Sequence, residues 1–365
     1  MPAPLKILIA PLDWGLGHTT RCLPIIRYLQ FLGHQVIAAA EGASAQLLIE
    51  NFPALTVLPL SGYRIQYSKR KSMFTLKLLG QIPKILKAIK REHQWLQEQQ
   101  AIHKFDAIIS DNRYGLYHTR VKSVILTHQL QIQSGSGAFA DYILRKLHYK
   151  LLERFHQCWV VDVAGDNNLS GKLAHPQALP HNAKYIGLLS QFDAHTKIDL
   201  SSSIDPYNIL MLLSGPEPMR GQLETMLLQQ VQELPDMKFT LVAGNPLGTA
   251  KSVPDNVVYH THLNAQSLAE ALQQASLVIC RSGYSTLMDL VVMRKRALLI
   301  PTPGQTEQEY LAQYLADKKY FTVKQQHQLS LSKDLPMALS QSYKEIPLDK
   351  SAMELAVHNL LQQLV

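Results

Sequence analysis

The sequence predicts an α/β protein built from two similar domains, each with a parallel β-sheet covered by helices on both faces. Short apolar runs of strand length alternate with longer segments whose apolar residues recur at helical spacing, which is typical of such sheets. A buried strand followed by a turn of small residues occurs twice, near residue 5 and again near residue 208. A chain of 365 residues also fits two domains of about 180 residues better than one.

The first half supplies the strands of the first predicted sheet. Leu5–Pro11 reads LKILIAP and predicts a buried strand, and a helix with Leu23, Ile26 and Leu29 on one face follows from Thr19. The further predicted strands are Gln35–Ala39, Thr56–Leu60, Asp106–Ser110, Ser123–Thr127 and Cys158–Val161. Functional side chains are expected at the carboxyl ends of these strands, where open α/β sheets bind ligands.

The second half repeats this scheme after a polar, serine-rich stretch. Residues 191–206 read QFDAHTKIDLSSSIDP and predict a linker. The strands predicted beyond it are Asn208–Leu213, Lys238–Ala243, Val257–His260, Leu277–Cys280 and Ala297–Pro301. The predicted domains are therefore residues 1–195 and 196–349, with an amphipathic helix over residues 350–365 that is expected to pack back on the first domain.

A strand, a tight turn and a helix follow one another from Leu277 to Met293. Ser282 is expected to cap the helix, and Gly283 lets another group approach the backbone closely. The free amides of the first helical turn form a site for a phosphate. Asp289 offers a carboxylate that could accept from sugar hydroxyls, so the segment suits a nucleotide or a nucleotide sugar. An ordinary βαβ unit would show the same pattern.

A glycine-rich turn also follows the first predicted strand, and it ends in His18. An imidazole at this place has a pKa suited to removing a proton from a hydroxyl near neutral pH. The alternative is a structural role, in which His18 caps the helix or forms a hydrogen bond with a backbone carbonyl. Asp13 could orient His18 or act in its place. Asp111 and His128 follow two other strands and are the second choices for the base.

The net charge of +8 is concentrated in one segment. Residues 51–91 contain nine basic residues and no acidic one. Basic side chains around an apolar cluster favour an anionic membrane surface, although a solvated face is the commoner outcome for a charge run. The expected membrane contacts are Lys69, Arg70, Lys71, Phe74 and Lys77. Nucleic acid is not expected, because stacking aromatic residues are not interleaved with the basic ones.

The three cysteines, Cys22, Cys158 and Cys280, are isolated in sequence, which favours a reducing cytosol over a disulfide framework. No signal peptide is expected at the start, and no apolar run reaches the roughly 18 residues of a spanning helix. His260 and His262 have no third ligand nearby in sequence, so no metal site is predicted.

The motifs CRSGYSTLMDL, PTPGQTEQEYLAQYL and GLGHTTR together resemble those of GT-B glycosyltransferases. The resemblance is to the family 28 type, whose members include the transferase of N-acetylglucosamine to the lipid-linked peptidoglycan precursor. It implies two facing Rossmann-like domains with an interdomain cleft. It further implies a UDP-sugar as substrate, no metal or other cofactor, and a bacterial cell-envelope setting in the cytoplasm, peripheral at the inner face of the membrane.

The resemblance also assigns residues. His18 is implied as the base, and the implied donor-binding set is Gly17, Ser214, Gly215, Arg220, Leu263, Arg281, Ser282, Gly283, Asp289, Gln308 and Glu309. Two departures stand out: an aspartate, Asp289, replaces the more usual glutamate at the ribose position, and residues 214–220 read SGPEPMR where the family has a glycine-rich loop.

The expected function is therefore transfer of a hexose, first of all N-acetylglucosamine, from a UDP-sugar to an acceptor hydroxyl that could be lipid-linked. Two other classes stay open. A sugar-nucleotide epimerase shares this architecture and would act without an acceptor, and a non-catalytic nucleotide-sugar-binding protein would bind the donor without turnover.

Overall fold

A computed structural model describes residues 3–13, 15–63, 82–131, 137–192, 207–245, 248–349 and 351–364. The chain divides into two compact units. The first comprises Met1–Gln191 together with Pro347–Val365, and the second comprises Phe192–Ile346.

The first unit contains a seven-stranded sheet with the order β3-β2-β1-β4-β5-β6-β7, and every recorded pair of neighbours is parallel. Its strands are β1 (Lys6–Ala10), β2 (Gln35–Ala40), β3 (Thr56–Pro59), β4 (Ala107–Asp111), β5 (Lys122–Thr127), β6 (Gln157–Val160) and β7 (Ala183–Tyr185). The chain runs outward from β1 to β3 and then crosses to β4 on the other side of β1. Between β1 and β4 the direction of winding therefore reverses, and this switch point is where such sheets bind ligands.

Within the described residues, the helices between these strands are α1 (Leu16–Phe31), α2 (Gly42–Asn51), α3 (Ile82–His103) and α4 (Ala138–Leu152). Leu96 on α3 packs with Leu8 and Ile108 of the sheet. Leu152 on α4 packs with Ile125 and other residues further along the same sheet. The sheet needs helices against it because its central strands are apolar on both faces, and both faces must be covered.

The second unit contains a six-stranded sheet with the order β10-β9-β8-β11-β12-β13, again parallel. Its strands are β8 (Asn208–Leu212), β9 (Lys238–Val242), β10 (Val257–His260), β11 (Leu277–Cys280), β12 (Ala297–Leu299) and β13 (Thr322–Val323). Its helices are α5 (Met219–Gln230), α6 (Ala265–Gln274), α7 (Tyr284–Val292), α8 (Thr306–Asp317) and α9 (Leu331–Ser340). The switch point of this sheet lies between β8 and β11.

The last helix, α10 (Ala352–Gln362), belongs to the first unit. It buries Ala356, Val357, Leu360 and Leu361 and contacts α1. Just beyond its end, the side chain of Gln157 donates to that of Gln363 at 3.3 Å.

The parallel α/β architecture predicted from the sequence is confirmed. The structure adds β7 and β13, which the sequence pattern did not predict because they are only three and two residues long. Helix α1 begins at Leu16, three residues before the predicted start. The predicted membrane contacts at Lys69, Arg70, Lys71, Phe74 and Lys77 lie outside the described residues. Among the helices that the structure describes, none combines the length and apolarity needed to cross a membrane.

Candidate functional site

The switch point of the first sheet brings together three of the residues that the sequence proposed as bases. Asp111 is the last residue of β4, and His18 lies in the first turn of α1, directly after β1. His128 follows β5, the neighbour of β4. These residues are far apart in sequence, but the parallel strands place their carboxyl ends at one edge of the sheet.

His18 is positioned by a sharp change of backbone direction. Gly15 precedes the helix with a φ of 86°, a left-handed conformation that favours glycine. The His18 side chain is 14% exposed, and its Nδ1 lies 3.1 Å from Oδ2 of Asp111. Gly17, a predicted donor contact, lies in the same helical turn, and its carbonyl accepts from the Thr20 hydroxyl at 3.1 Å. The imidazole is thus held on one side by a carboxylate and has limited access to solvent on the other.

Arg21 is the residue of this cluster that the sequence reasoning missed. Its side chain is fully buried. Its Nε donates to Oδ2 of Asp111 at 2.7 Å, and its Nη2 donates to Oδ1 of the same carboxylate. Nη1 lies 2.8 Å from Nδ1 of His128, and Nη2 lies 2.7 Å from Nδ1 of His18. The signal was available, because residues three apart in a helix share a face and Arg21 follows His18 by three.

The charges of this cluster fix its protonation states. Burial alone would raise the pKa of Asp111, but the neighbouring Arg21 and His18 outweigh burial and lower that pKa to about 2. Burial lowers the pKa of His18, and the positive charge of Arg21 lowers it further against the opposing effect of Asp111. At pH 7 the cluster therefore contains an ionised Asp111, a cationic Arg21 and a neutral His18.

Exposure distinguishes the three candidate bases. Asp111 is fully buried and both of its carboxylate oxygens bond Arg21, so its position suits orienting His18 rather than contacting a substrate. His128 is buried and its Nδ1 faces Arg21. His18 is the partly exposed member, and its Nε2 is not engaged by the cluster contacts given above. The geometry thus favours His18 among the three.

Asp13 does not orient His18 in this structure. Its Oδ1 accepts from the backbone amide of Tyr63 at 3.2 Å, and the partner that faces the His18 imidazole is Asp111. Asp13 instead lines a cavity of about 400 Å³ beside the start of α1. The cavity is also lined by Gly15, Leu16, Glu41, Gly42, Ala43 and Ser44.

In the second unit, three predicted donor-binding loops share one edge of the sheet. Ser214 and Gly215 follow β8, Arg281 to Gly283 follow β11, and Gln308 and Glu309 lie in α8, which follows β12. Strand β11 lies between β8 and β12. The loops are neighbours because the three strands are parallel and adjacent.

The turn formed by Arg281, Ser282 and Gly283, which follows β11, differs in detail from the sequence prediction. The N-cap of α7 is Gly283, and no side chain caps this helix, so the predicted capping role of Ser282 is wrong. The Ser282 hydroxyl instead donates to the carbonyl of Gln308 at 2.9 Å, which ties the turn to α8. A Cβ placed on Gly283 would meet no atom within 4 Å. The backbone at the start of α7 therefore borders open space, as an approaching phosphate requires.

The two arginines predicted to contact the diphosphate are engaged within the protein. Arg281 is almost fully buried, and its guanidinium donates to the carbonyls of Ile300, Pro301 and Met219 at 2.8 to 3.2 Å. Burial lowers the pKa of Arg281 to about 10. A direct phosphate contact does not fit this geometry, because the guanidinium is turned to the backbone of its own unit.

Arg220 is held in a similar way. It donates to Oε2 of Glu224 at 3.0 Å, to the carbonyl of Ala243 at 2.9 Å and to the carboxylate of Glu217. Two carboxylates already neutralise its charge, so the predicted phosphate contact is not available in this arrangement. Ser214 is half-buried and Gly215 is exposed with a φ of 99°. These two residues keep the position predicted for them at the end of β8.

Gln308 and Glu309 brace the loop before α8. Oε1 of Gln308 accepts from the amide of Thr302 at 3.0 Å, and Oε1 of Glu309 accepts from the amide of Gly304 at 2.9 Å. Both side chains are only partly buried. Asp289 is buried on α7, six residues after Gly283, or about 9 Å further along the helix axis.

Leu263 is half-buried in the turn after β10, and the side chain of the next residue, Asn264, caps α6 by accepting from the amide of Ser267 at 2.9 Å. Strand β10 is the outer strand of its sheet, two places from β8. Leu263 is thus separated from the other donor candidates by β9. Within the described ranges, no group of three histidine, cysteine, aspartate or glutamate side chains could hold a metal ion.

Known proteins resemble this chain in sequence and in fold. Residues 224–364 match the glycosyltransferase family 28 C-terminal domain. An uncharacterized glycosyltransferase of Methanosarcina acetivorans is 24% identical over 337 residues, which cover 87% of this chain and 82% of the relative. A UDP-N-acetylglucosamine--N-acetylmuramyl-(pentapeptide) pyrophosphoryl-undecaprenol N-acetylglucosamine transferase of Histophilus somni is 29% identical over 123 residues, which cover 30% of this chain and 34% of that protein.

Solved structures show the same fold over the whole chain. The glycotransferase of kitacinnamycin superposes with a TM-score of 0.65 at 14% identity and covers 100% of this chain and 95% of its own. The spinosyn rhamnosyltransferase SpnG, complexed with thymidine diphosphate, superposes with a TM-score of 0.59 at 14% identity and covers 99% of this chain and 96% of its own.

Proposed function

Because this chain is a GT-B glycosyltransferase that carries a family 28 C-terminal domain, we propose that it transfers a hexose from a UDP-sugar to an acceptor hydroxyl. N-acetylglucosamine is the first choice of sugar, since the Histophilus somni relative is named for its transfer. The observation that carries the proposal is the contact of His18 with Asp111 at the switch point of the first sheet. It supplies a neutral, oriented imidazole where a ligand of such a sheet binds.

In this mechanism His18 acts as the general base. Asp111 accepts a hydrogen bond from Nδ1 of His18, which leaves Nε2 free to take the proton of the acceptor hydroxyl. The deprotonated oxygen attacks the anomeric carbon and the bond from that carbon to the nucleoside diphosphate breaks. Asp111 stabilises the imidazolium that forms, because its carboxylate is ionised at every pH of interest.

We assign the donor to the second unit. The diphosphate would lie against the backbone amides at the start of α7, near Gly283, with Ser214 and Gly215 on the neighbouring loop. Asp289, Gln308 and Glu309 would accept from or donate to the hydroxyls of ribose and sugar. Amide donors and a helix N-terminus can stabilise the departing diphosphate without a metal ion. The proposed reaction therefore needs no divalent cation and no cofactor.

We propose that the acceptor is lipid-linked. The protein would then work in the cytoplasm and bind this acceptor at the inner face of the membrane. The name of the Histophilus somni relative includes a pyrophosphoryl-undecaprenol acceptor. The nine basic residues of the acid-free segment 51–91 would favour an anionic surface of this kind.

Calorimetric titration with UDP, dTDP, GDP, UDP-N-acetylglucosamine and UDP-glucose, without added metal, tests the donor class. Micromolar binding of a uridine ligand that Asp289→Ala weakens about tenfold, or roughly 1.4 kcal/mol, supports it. Preference for dTDP would contradict the choice of uridine, and binding of none of them would contradict the donor site.

Transfer to lipid-linked acceptors then tests the chemistry. We expect His18→Ala to reduce turnover by about 10²- to 10⁴-fold while leaving nucleotide binding unchanged. Isomerisation of the sugar nucleotide in the absence of any acceptor would instead identify an epimerase.

A further inference from the structure

The cavity of about 400 Å³ beside the start of α1 has no role in the mechanism described above. Its volume falls within the range of small-molecule pockets, which is about 300 to 1,000 Å³. Glu41 lines it from the end of β2, and the first turn of α1 lines it from the end of β1. Strand β1 lies between β2 and β4, so the ends of β2 and β4 are roughly 10 Å apart. A ligand in the cavity would therefore adjoin the turn that carries His18.

Two carboxylates line this cavity, and the loop after β3 anchors both of them. Oδ1 of Asp13 accepts from the amide of Tyr63 at 3.2 Å, and Oε1 of Glu41 accepts from the amide of Gly62 at 2.8 Å. A Cβ on Gly62 would lie 1.6 Å from Oδ2 of Asp13, so this close approach requires a glycine. The backbone thus holds both carboxylates in fixed positions, as a binding site requires.

Ser44 gives an independent indication of a ligand. It is only 6% exposed and lines the cavity, and its hydroxyl has no hydrogen-bond partner among the residues that the structure describes. Oδ2 of Asp13 likewise has no partner within the described ranges. Buried polar groups are normally hydrogen-bonded, so a hydroxyl left unpaired at the wall of a cavity points to a polar group inside it.

The lining of the cavity selects the chemistry of this ligand. A carboxylate only accepts hydrogen bonds, whereas a hydroxyl can donate or accept. Among the described residues that line the cavity, none is basic. The amino-terminal ends of α1 and α2 would attract an anion, but Asp13 and Glu41 oppose this attraction with their own negative charge. A ligand that is rich in hydrogen-bond donors and carries no negative charge therefore fits best.

We propose that the cavity binds a sugar unit of the acceptor, with Asp13 and Glu41 accepting from its hydroxyls and Ser44 bonding a third polar group. The inference rests on the proposed function and deepens it, because it names the part of the acceptor that lies beside His18. The two carboxylates exclude an anionic group from this place. A lipid-linked acceptor would therefore place a neutral sugar in the cavity and its diphosphate outside it.

NMR titration of the full chain with methyl glucoside and with methyl glucuronide tests the proposal. The two probes differ in one group, a hydroxymethyl in the first and a carboxylate in the second, so the pair isolates the effect of charge. We expect methyl glucoside to shift the amide signals of Gly42 and Gly62, and methyl glucuronide to leave them in place. Ser44→Ala should weaken the binding of methyl glucoside about three- to tenfold. It should not lower stability, because the hydroxyl bonds none of the described residues.

The variant Asp13→Asn/Glu41→Gln should reverse this preference. Both substitutions keep an oxygen that can accept from the amides of Tyr63 and Gly62, so thermal unfolding should be unchanged. Affinity for methyl glucoside should fall about tenfold, because hydrogen bonds to charged groups are the stronger ones. Methyl glucuronide should now bind, since the amino-terminal ends of the two helices are no longer opposed. A purely structural role of the carboxylates predicts no such gain.

Glu50→Gln is the matched control. Glu50 is exposed near the far end of α2, so the substitution removes a carboxylate from the same helix outside the cavity. Both titrations should give the same result as with the original protein.

Three results would overturn the proposal: methyl glucuronide that shifts the Gly42 and Gly62 amides of the original protein, methyl glucoside that shifts neither, or a double variant with the original preference. Titration with UDP keeps this inference apart from the proposed function. A protein that binds UDP but no sugar at these amides loses the sugar cavity and keeps the donor site. A protein that binds methyl glucoside there but no nucleotide loses the donor site and keeps the cavity.

Discussion

Arg21 places its Nη2 2.7 Å from Nδ1 of His18, and the same ring nitrogen lies 3.1 Å from Oδ2 of Asp111. A guanidinium only donates hydrogen bonds and a carboxylate only accepts them. Nδ1 therefore accepts from Arg21 when it carries no proton and donates to Asp111 when it does. The balance between these two neighbours sets the tautomer of His18, and with it the ability of Nε2 to accept a proton.

Replacing Arg21 with glutamine should raise the pKa of His18. The substitution removes a nearby positive charge that disfavours the protonated imidazole, whereas the Asp111 carboxylate that stabilises this form remains. An NMR titration of the His18 ring should show the rise, and the acid limb of kcat/KM should move to higher pH, because a base is active only when deprotonated. Arg120→Gln, at an exposed position, is the control. A His18 pKa that stays constant or falls contradicts this account.

Asp111 should stabilise the protein above pH 4 and lose that contribution in acid. Its pKa in the folded protein is about 2, below the ordinary value of 3.8. A carboxyl whose folded pKa is depressed stabilises the fold above its unfolded pKa, and the contribution disappears as the pH falls toward 2. The contribution is of order 2 kcal/mol. Urea unfolding from pH 5 to pH 2 should show a shallower pH dependence in Asp111→Asn than in the original protein, and equal slopes would refute the assignment.

Gly283→Ala and Gly244→Ala form a matched pair that separates binding from folding. Gly283 has ordinary backbone angles and its Cβ would meet open space, so alanine should leave stability unchanged but cover the amides of α7 and weaken UDP binding about tenfold. A Cβ on Gly244 would lie 2.3 Å from the carbonyl oxygen of Leu213, at a φ of 65°. The free energy of unfolding of Gly244→Ala should therefore be lower than that of the original protein by at least about 1 kcal/mol. Unchanged UDP affinity in Gly283→Ala would exclude the proposed phosphate position.

Arg281→Lys should destabilise the second unit. A single ammonium cannot reproduce the planar fork that bonds the carbonyls of Met219, Ile300 and Pro301, and unfulfilled buried acceptors cost about 1 to 3 kcal/mol each. Chemical unfolding measures the loss, with the exposed Arg294→Lys as control. A variant of normal stability that binds UDP about tenfold more weakly would instead show that Arg281 contacts the diphosphate directly.

The sequence predicted the bounds of strands well where a short apolar run lies between polar turns. Leu277–Cys280 and Val257–His260 have the predicted bounds, because apolar runs between polar turns leave little freedom of register. The short edge strand Thr322–Val323 carries no such signal, since two residues show no periodicity and pairing with β12 alone defines it.

The site was predictable in its location but not in its contacts. Position at a strand end identified His18 and Asp111, because topology brings such residues to one edge. The bonds of Arg281 depend on backbone carbonyls from two distant segments. Helix spacing places Arg21 beside His18, but its contact with Asp111 forms only when β1 and β4 become neighbours. Charged side chains therefore have roles that only the assembled sheet determines.

Helix α10 completes the first unit, but it is synthesised after all the other elements of that unit. Its apolar face, with Val357 and Leu360, belongs to the first unit, although the whole second unit lies between them in sequence. Helix α10 begins 321 residues after α1 ends (352 − 31). At about 5 to 20 residues per second, the surface of α1 that receives α10 is therefore synthesised roughly 16 to 64 seconds before α10. In a growing chain the second unit can therefore close before the first has all of its parts, and until then the uncovered apolar surface of α1 is a place where a chaperone or another nascent chain could bind.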